Sequence, residues 1–288
     1  MKTRIFLMIT AMAVLSFSSC KKNSALIDQS GIDLADDDAV ADAVYEDVFN
    51  TADNATIVLD QMMFKNGDAK SETVVTDSCP TITVTNPGTA IWPKVVTVDY
   101  GTGCTGFNDN TRSGKIRIEV TGPRLTVGSK RTITFINYFI NNIKVEGTKV
   151  LENKGYNGNQ NLVISIKLTG GKLTLPDGKT IERAFDHQRE WTAGLLTKNI
   201  WDDECLITGT ATGKNINGVA YTNTNNTALQ WKRACRFIVA GVVKIERAGA
   251  QAVELNYGTG ECDAKAVVTS GGESKEILLK YKHRNMLP

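Results

Sequence analysis

The chain has 288 residues, 41% of them hydrophobic and 22% charged, with 33 Lys+Arg against 31 Asp+Glu. That balance belongs to an ordinary folded protein and argues against wholesale disorder, a collagen-like repeat or a multi-span membrane protein. Setting aside Lys2 and Arg4 in the first 19 residues leaves a formally neutral chain, so net charge lends no support to a nucleic-acid partner, and two histidines, His187 and His283, leave little for imidazole catalysis.

Lys2 and Arg4 precede an apolar run from Ile5 to Leu15, a cationic start and hydrophobic stretch of the secretory kind, too short to span a bilayer. Small residues then lead into a cysteine, Phe17-Ser18-Ser19-Cys20, which resembles a bacterial lipobox. The resemblance implies loss of residues 1–19, acylation of Cys20 and a polar tether over 20–34. Each buried CH₂ contributes ~0.8 kcal/mol, so several acyl chains anchor durably where one does not. Lys21-Lys22-Asn23-Ser24 follows the cysteine in place of an acidic cluster, which leans the expected address towards the periplasmic leaflet of the outer membrane.

Charge then divides the chain. Residues 28–77 hold 13 acidic and two basic side chains, and residues 78–288 hold 27 basic and 18 acidic. Halves of opposite sign either attract each other or leave the basic one for a polyanion. Val40, Val44 and Val48 recur every four residues beside Tyr45 and Phe49, predicting an amphipathic helix over roughly 35–53 in an acidic helical segment 35–70. Asp36-Asp37-Asp38 is expected in its first turn, on a solvated face.

From residue 71 the period falls to two. Ile116, Ile118 and Val120 alternate with Lys115, Arg117 and Glu119, and Leu162, Ile164, Ile166 and Leu168 do likewise, the pattern of half-buried strands. Further runs are 73–76, 81–85, 95–99, 132–139, 143–150, 205–210, 219–223, 237–245, 252–257, 264–269 and 275–281. They are parted by turn formers such as Asn157-Gly158, Pro176-Asp177-Gly178 and Asn217-Gly218. The expected fold is mainly β: an antiparallel, sandwich-like body over 71–288 behind a short helix, with an approximate subdomain boundary near residue 125.

One unit occurs twice. Val96-Thr-Val-Asp-Tyr-Gly-Thr-Gly-Cys104 is echoed by Val253-Glu-Leu-Asn-Tyr-Gly-Thr-Gly-Glu-Cys262, and Cys79 and Cys235 precede the two copies. Five cysteines after Cys20 allow fifteen ways of forming two bridges; the repeat selects Cys79–Cys104 and Cys235–Cys262. Cys205 is left over as a buried apolar thiol. Gly101-x-Gly103-x-x-Gly106 imitates a dinucleotide fingerprint, but a strand follows at Lys115 where pyrophosphate needs a helix N-terminus; nucleotide binding is rejected.

The lipobox, the acidic helix, Asp-Tyr-Gly-Thr-Gly-Cys, the run Thr134-Phe135-Ile136-Asn137-Tyr138, Ile207-Thr208-Gly209-Thr210-Ala211-Thr212-Gly213 and the closing Tyr-Gly-Thr-Gly-Glu-Cys together resemble a group of uncharacterised Bacteroidota envelope lipoproteins. The resemblance implies localisation and architecture and supplies no chemistry. Three acids in a row, Asp202-Asp203-Glu204, cannot converge from one strand and are expected in a loop; no cofactor, zinc set or nucleophile elbow is apparent. Trp191, Trp201 and Trp231 fill a core by default; with Lys232 and Arg233 and the neighbouring Arg183, Arg189, Lys198 and Arg236, they otherwise form the candidate ligand surface for an anionic glycan, lipopolysaccharide or an acidic partner protein. The expected function is noncatalytic binding or scaffolding at the outer membrane; a glycan-binding surface lipoprotein and a carboxylate-dependent hydrolase are the alternatives.

Overall fold

A computed structural model describes residues 28–65, 73–74, 79–85, 91–105, 110–197 and 199–279. The leader, Cys20, Lys198 and His283 lie outside the described residues.

The acidic segment folds as one long helix, α1 (Gln29–Lys65), longer at both ends than the valine stripe predicts. Asp28 starts it, its side chain accepting from the Gly31 amide at 3.1 Å and from the Ser30 hydroxyl at 2.7 Å, the capping role that frees helix amides from water. Asp36-Asp37-Asp38 therefore falls in the second and third turns, and Asp37 and Asp38 are fully buried. The expectation of a solvated acidic first turn is corrected: the helix is covered nearly all round, with Leu34, Ala41, Val48, Phe49, Ala52 and Leu59 in the core. A stripe of valines marks one face of such a helix and says nothing of its length.

What covers it is one 15-stranded antiparallel sheet. Its strands are β1 (Thr73–Val74), β2 (Thr81–Thr85), β3 (Lys94–Asp99), β4 (Cys104–Thr105), β5 (Thr111–Val120), β6 (Lys130–Ile140), β7 (Ile143–Tyr156) and β8 (Leu162–Thr174). They continue as β9 (Thr180–Ala193), β10 (Glu204–Lys214), β11 (Ala220–Lys232), β12 (Ile238–Glu246), β13 (Val253–Thr259), β14 (Lys265–Ser270) and β15 (Glu273–Leu278). Each strand pairs with its chain neighbours in an up-and-down meander, except that β3 pairs with β5 and β4 flanks β5. Such wide sheets curl under their own twist, and α1 lies in the hollow, touching β3, β9, β13 and β14. Pairing runs on from β5 to β6 past residue 125.

The alternation holds where it was legible: Ile116, Ile118, Val120, Leu162, Ile164, Ile166 and Leu168 all face the core. The strand β9 has no counterpart among the predicted runs. Its inward residues are Ile181, Arg183, Phe185, Arg189 and Trp191, so two arginines interrupt the apolar period.

Both bridges selected by the repeat are present, Cys79–Cys104 and Cys235–Cys262. Each ties the base of a hairpin, β2–β3 and β12–β13. The motif's glycines explain its repetition. Gly101 and Gly258 stand at φ 56° and 88°, a region that only glycine occupies freely, and their amides donate to the Asp99 and Asn256 side chains at 2.8 and 2.9 Å. One Asx-type turn is thus used twice.

Candidate functional site: a charged interior and the cleft beside Trp201

The helix acids at 38, 42, 46, 53 and 60 are spaced by four or seven residues and so share one face. The strands and their adjoining turns supply the cations. Arg183 of β9 pairs with Asp38 and, at 2.6 Å, with Asp42; Arg189 pairs with Glu46 at 2.5 Å. Asp53 accepts from Arg131 at 2.9 Å and from Arg233 at 2.7 Å, and Arg124 stands 3.9 Å from Asp60. From the flank, Asp47 takes Arg112 of β5. Asn223 adds bonds of 3.0 and 3.1 Å to Asp38. Burial alone would raise the Asp53 carboxyl, but Arg131, Arg124 and Arg233 together hold it below the usual carboxylate range. The opposite charges of the two halves thus meet each other inside the protein.

This settles most of the candidate ligand surface. Cys205 lies opposite Trp191 of β9 and Trp231 of β11, so all three side chains point the same way, inwards. Trp191 is 3% exposed, Trp231 0% and Arg233 4%. Trp191 packs on Phe49 at 6.1 Å, the Arg189 guanidinium sits between Phe49 and Trp231, and Arg233 joins Asp53 to Asp203. Trp191 and Trp231 thus take the core-filling reading, and the candidate assignment of Trp191, Trp231 and Arg233 to a ligand surface is corrected: tryptophan and arginine cluster in the sequence because they line the helix cradle together. Lys232 is partly exposed, 3.7 Å from Glu204.

Cys205 is buried and unbridged, and burial pushes its thiol well up, the state of an inert core cysteine. The loop acids separate: Asp202 accepts from Thr197 at 2.8 Å, Asp203 binds Arg233 and Glu204 begins β10. Among the described residues no three His, Cys, Asp or Glu converge as a metal set. Where the dinucleotide fingerprint would need a helix, β5 begins at Thr111.

Trp201 differs. It lies in a single 3-10 turn, Ile200–Asp202, started by Asn199, whose side chain accepts from the Trp201 amide at 3.1 Å. Its indole is 43% exposed, with the Arg236 guanidinium 5.6 Å from the ring. It flanks a cleft of about 340 Å³. The opposite wall carries Cys79, Pro80 and Tyr100 of the first stapled unit, and the floor is the helix at Asn50, Thr51 and Asn54. Among the described residues, the buried Asn50 Oδ1 has no partner. Sequence proximity could not reveal this cleft, because its walls are more than 100 residues apart.

No family model matches the chain, and no curated protein or solved structure is similar to it.

Proposed function

We propose that the chain is a lipid-tethered, noncatalytic binding protein of the outer membrane, and that the cleft beside Trp201 receives a sugar ring. One observation carries this reading: a half-exposed indole next to a guanidinium, facing Asn50, Thr51 and Asn54 of the helix across about 340 Å³. That volume falls in the range of small-molecule sites, and an aromatic face with amide donors and acceptors is what a sugar's alternating C–H and O–H surfaces require. Among the described residues the carboxylate that lines the cleft, Asp47, is tied to Arg112, which favours holding a ligand over cleaving one. Two stapled hairpins border the cleft, so little ordering is needed on binding.

The test is calorimetry of the chain from residue 21 against neutral and uronate-bearing oligosaccharides. Saturable binding that Trp201→Ala weakens by about tenfold or more supports the assignment. Binding indifferent to Trp201→Ala, or none to any sugar, refutes it. Mass spectrometry of native material reads the Cys20 adduct, and an unmodified residue 20 refutes the tether.

A further inference from the structure

We propose that a second cavity, between α1 and the middle of the sheet, binds a small monocarboxylate with an apolar body. The cavity measures about 60 Å³ and shares only Arg236 with the lining of the Trp201 cleft. Half-buried Asp42, Ala43 and Phe237 lie on its solvent side, and Ile166, Phe185, Ile207 and Leu229 form an apolar inner wall.

Its polar end is rich in donors. The two nearby carboxylates already have partners, Glu46 with Arg189 at 2.5 Å and Asp42 with Arg183 at 2.6 Å. Lys149 has none. It is 2% exposed; its ammonium donates to the Tyr45 carbonyl at 2.6 Å and rests over the Phe49 and Phe185 rings at 5.4 and 5.5 Å. Among the described residues it makes no ion pair. Among the described residues, the Arg189 N–H groups on Nε and Nη1 meet no acceptor, and the Tyr257 hydroxyl and His187 Nε2 are likewise unpartnered. Burial, with the charges of Arg183, Lys149 and Arg189, pushes His187 down to about 3, so its ring is neutral.

A buried ammonium whose neighbouring carboxylates, Asp42 and Glu46, are already held by Arg183 and Arg189 is costly, as is a buried donor without an acceptor. Carboxylate oxygens offer about four lone-pair sites and would meet Lys149, Arg189 and Tyr257 at once. The apolar wall takes a hydrocarbon and disfavours sulfate or phosphate, which needs polar groups on every side. A water-sized site takes about 10–15 Å³ of such volume, so the cavity suits a carboxylate of about four to six non-hydrogen atoms, such as propionate or butyrate.

The experiment is calorimetry of the chain from residue 21 with butyrate, with butyramide, which matches its shape without its charge, and with sulfate. Butyrate should bind saturably and the other two at least about tenfold more weakly. Lys149→Met, which keeps the side-chain length, should abolish binding while leaving the circular dichroism native. Tyr257→Phe should weaken binding about threefold to tenfold, and it keeps the test valid should the Lys149 variant misfold. Butyramide binding as well as butyrate, a Tyr257→Phe variant of undiminished affinity, or no saturable heat up to about 10 mM butyrate would each overturn the assignment, the last leaving a cavity that holds water only. Trp201→Ala should leave butyrate binding unchanged, so this site and the sugar cleft fail or stand separately.

Discussion

Replacing Asp53 with asparagine keeps the side chain's shape and removes one charge from the most connected point of the interior. Arg131 and Arg233, whose side chains are 6% and 5% exposed, then lose their shared carboxylate; Arg233 keeps Asp203 at 3.2 Å and Arg131 keeps the Thr56 hydroxyl at 3.3 Å. Breaking a buried pair by removing one partner costs about 3–5 kcal/mol. For a body of this size each kcal/mol moves the melting midpoint by about 2–4 °C, so a fall of about 6–20 °C is expected. Urea unfolding followed by tryptophan fluorescence gives the free energy, and an unchanged slope shows that the variant unfolds from the same native state. Glu182→Gln is the control: its partner Lys214 is 3.0 Å away and both side chains are half exposed, so the change should stay within about 0.5 kcal/mol. Acid adds a second reading. Because the Asp53 carboxyl is depressed in the folded state, its contribution is complete above its unfolded pKa of about 4 and is lost as pH falls through the lower folded value. Wild type should therefore lose its advantage over Asp53→Asn below about pH 4. A loss smaller than about 0.5 kcal/mol at pH 7 would refute the view that the acidic helix is held by its cations.

The double change Cys235→Ser with Cys262→Ser opens a bridge of sequence separation 27 and should cost about 3.5 kcal/mol in urea unfolding; a cost near zero would mean the hairpin is closed without it. Gly114 sits at a register shift between Ser113 and Lys115 of β5 with φ 78°, where an added Cβ would come 1.9 Å from the Asn137 carbonyl oxygen, so Gly114→Ala should destabilise by about 2–4 kcal/mol, and a neutral result would refute that close approach. Burial drives Lys149 down to about 7, helped by Arg189 and Arg131 and opposed by Glu46 and Asp42 on the helix. Above pH 7 the unfolded chain thus binds the extra proton, and stability should rise with pH between 8 and 9 by up to about 1.4 kcal/mol per unit. Asp42, lifted to about 7 by burial against the pull of Arg183, is nearly fully ionised by then. Lys149→Met should flatten that rise in denaturation midpoints, and an equally steep variant would exclude Lys149 as its source.

The parts of the fold that could be read from residues alone are those where one physical rule acts unopposed. The β5 and β8 alternations show because their inner faces are wholly apolar, and the stapled hairpins show because a positive-φ turn demands glycine in both copies. The β9 strand stayed hidden because Arg183 and Arg189 occupy inward positions that the period-two rule reserves for hydrophobes. The valine stripe ends at Val48 and so says nothing of the helix's length, and a stripe rule assigns its acids to water, whereas Asp37, Asp38 and Asp53 are buried. Its acidic stripe at 38, 42, 46, 53 and 60 is nevertheless present in the sequence, and the charge split leaves attraction between the halves as one of two readings, the other being a polyanion on the basic half. The Trp201 cleft had no such signal, since its walls are joined only by the curl of the sheet.

The two cavities also show what the duplication does. The Tyr100 of the first copy stands in the wall of the Trp201 cleft, and the Tyr257 of the second lines the cavity at Lys149. Each tyrosine is fixed by the same glycine turn and the same type of bridge, yet each meets a different stretch of one helix, residues 47–55 in one case and 39–46 in the other. Ion pairs make that difference reproducible. An apolar helix in an apolar trough could slide or turn with little change in buried area, whereas moving α1 by one turn would carry Asp53 about 5.4 Å along the axis and strand two buried guanidiniums. Buried pairs are weak evidence for stability but a good means of fixing register. A protein with small sites between a helix and a wide sheet needs that register more than it needs extra stability, because each site exists at only one setting of the helix.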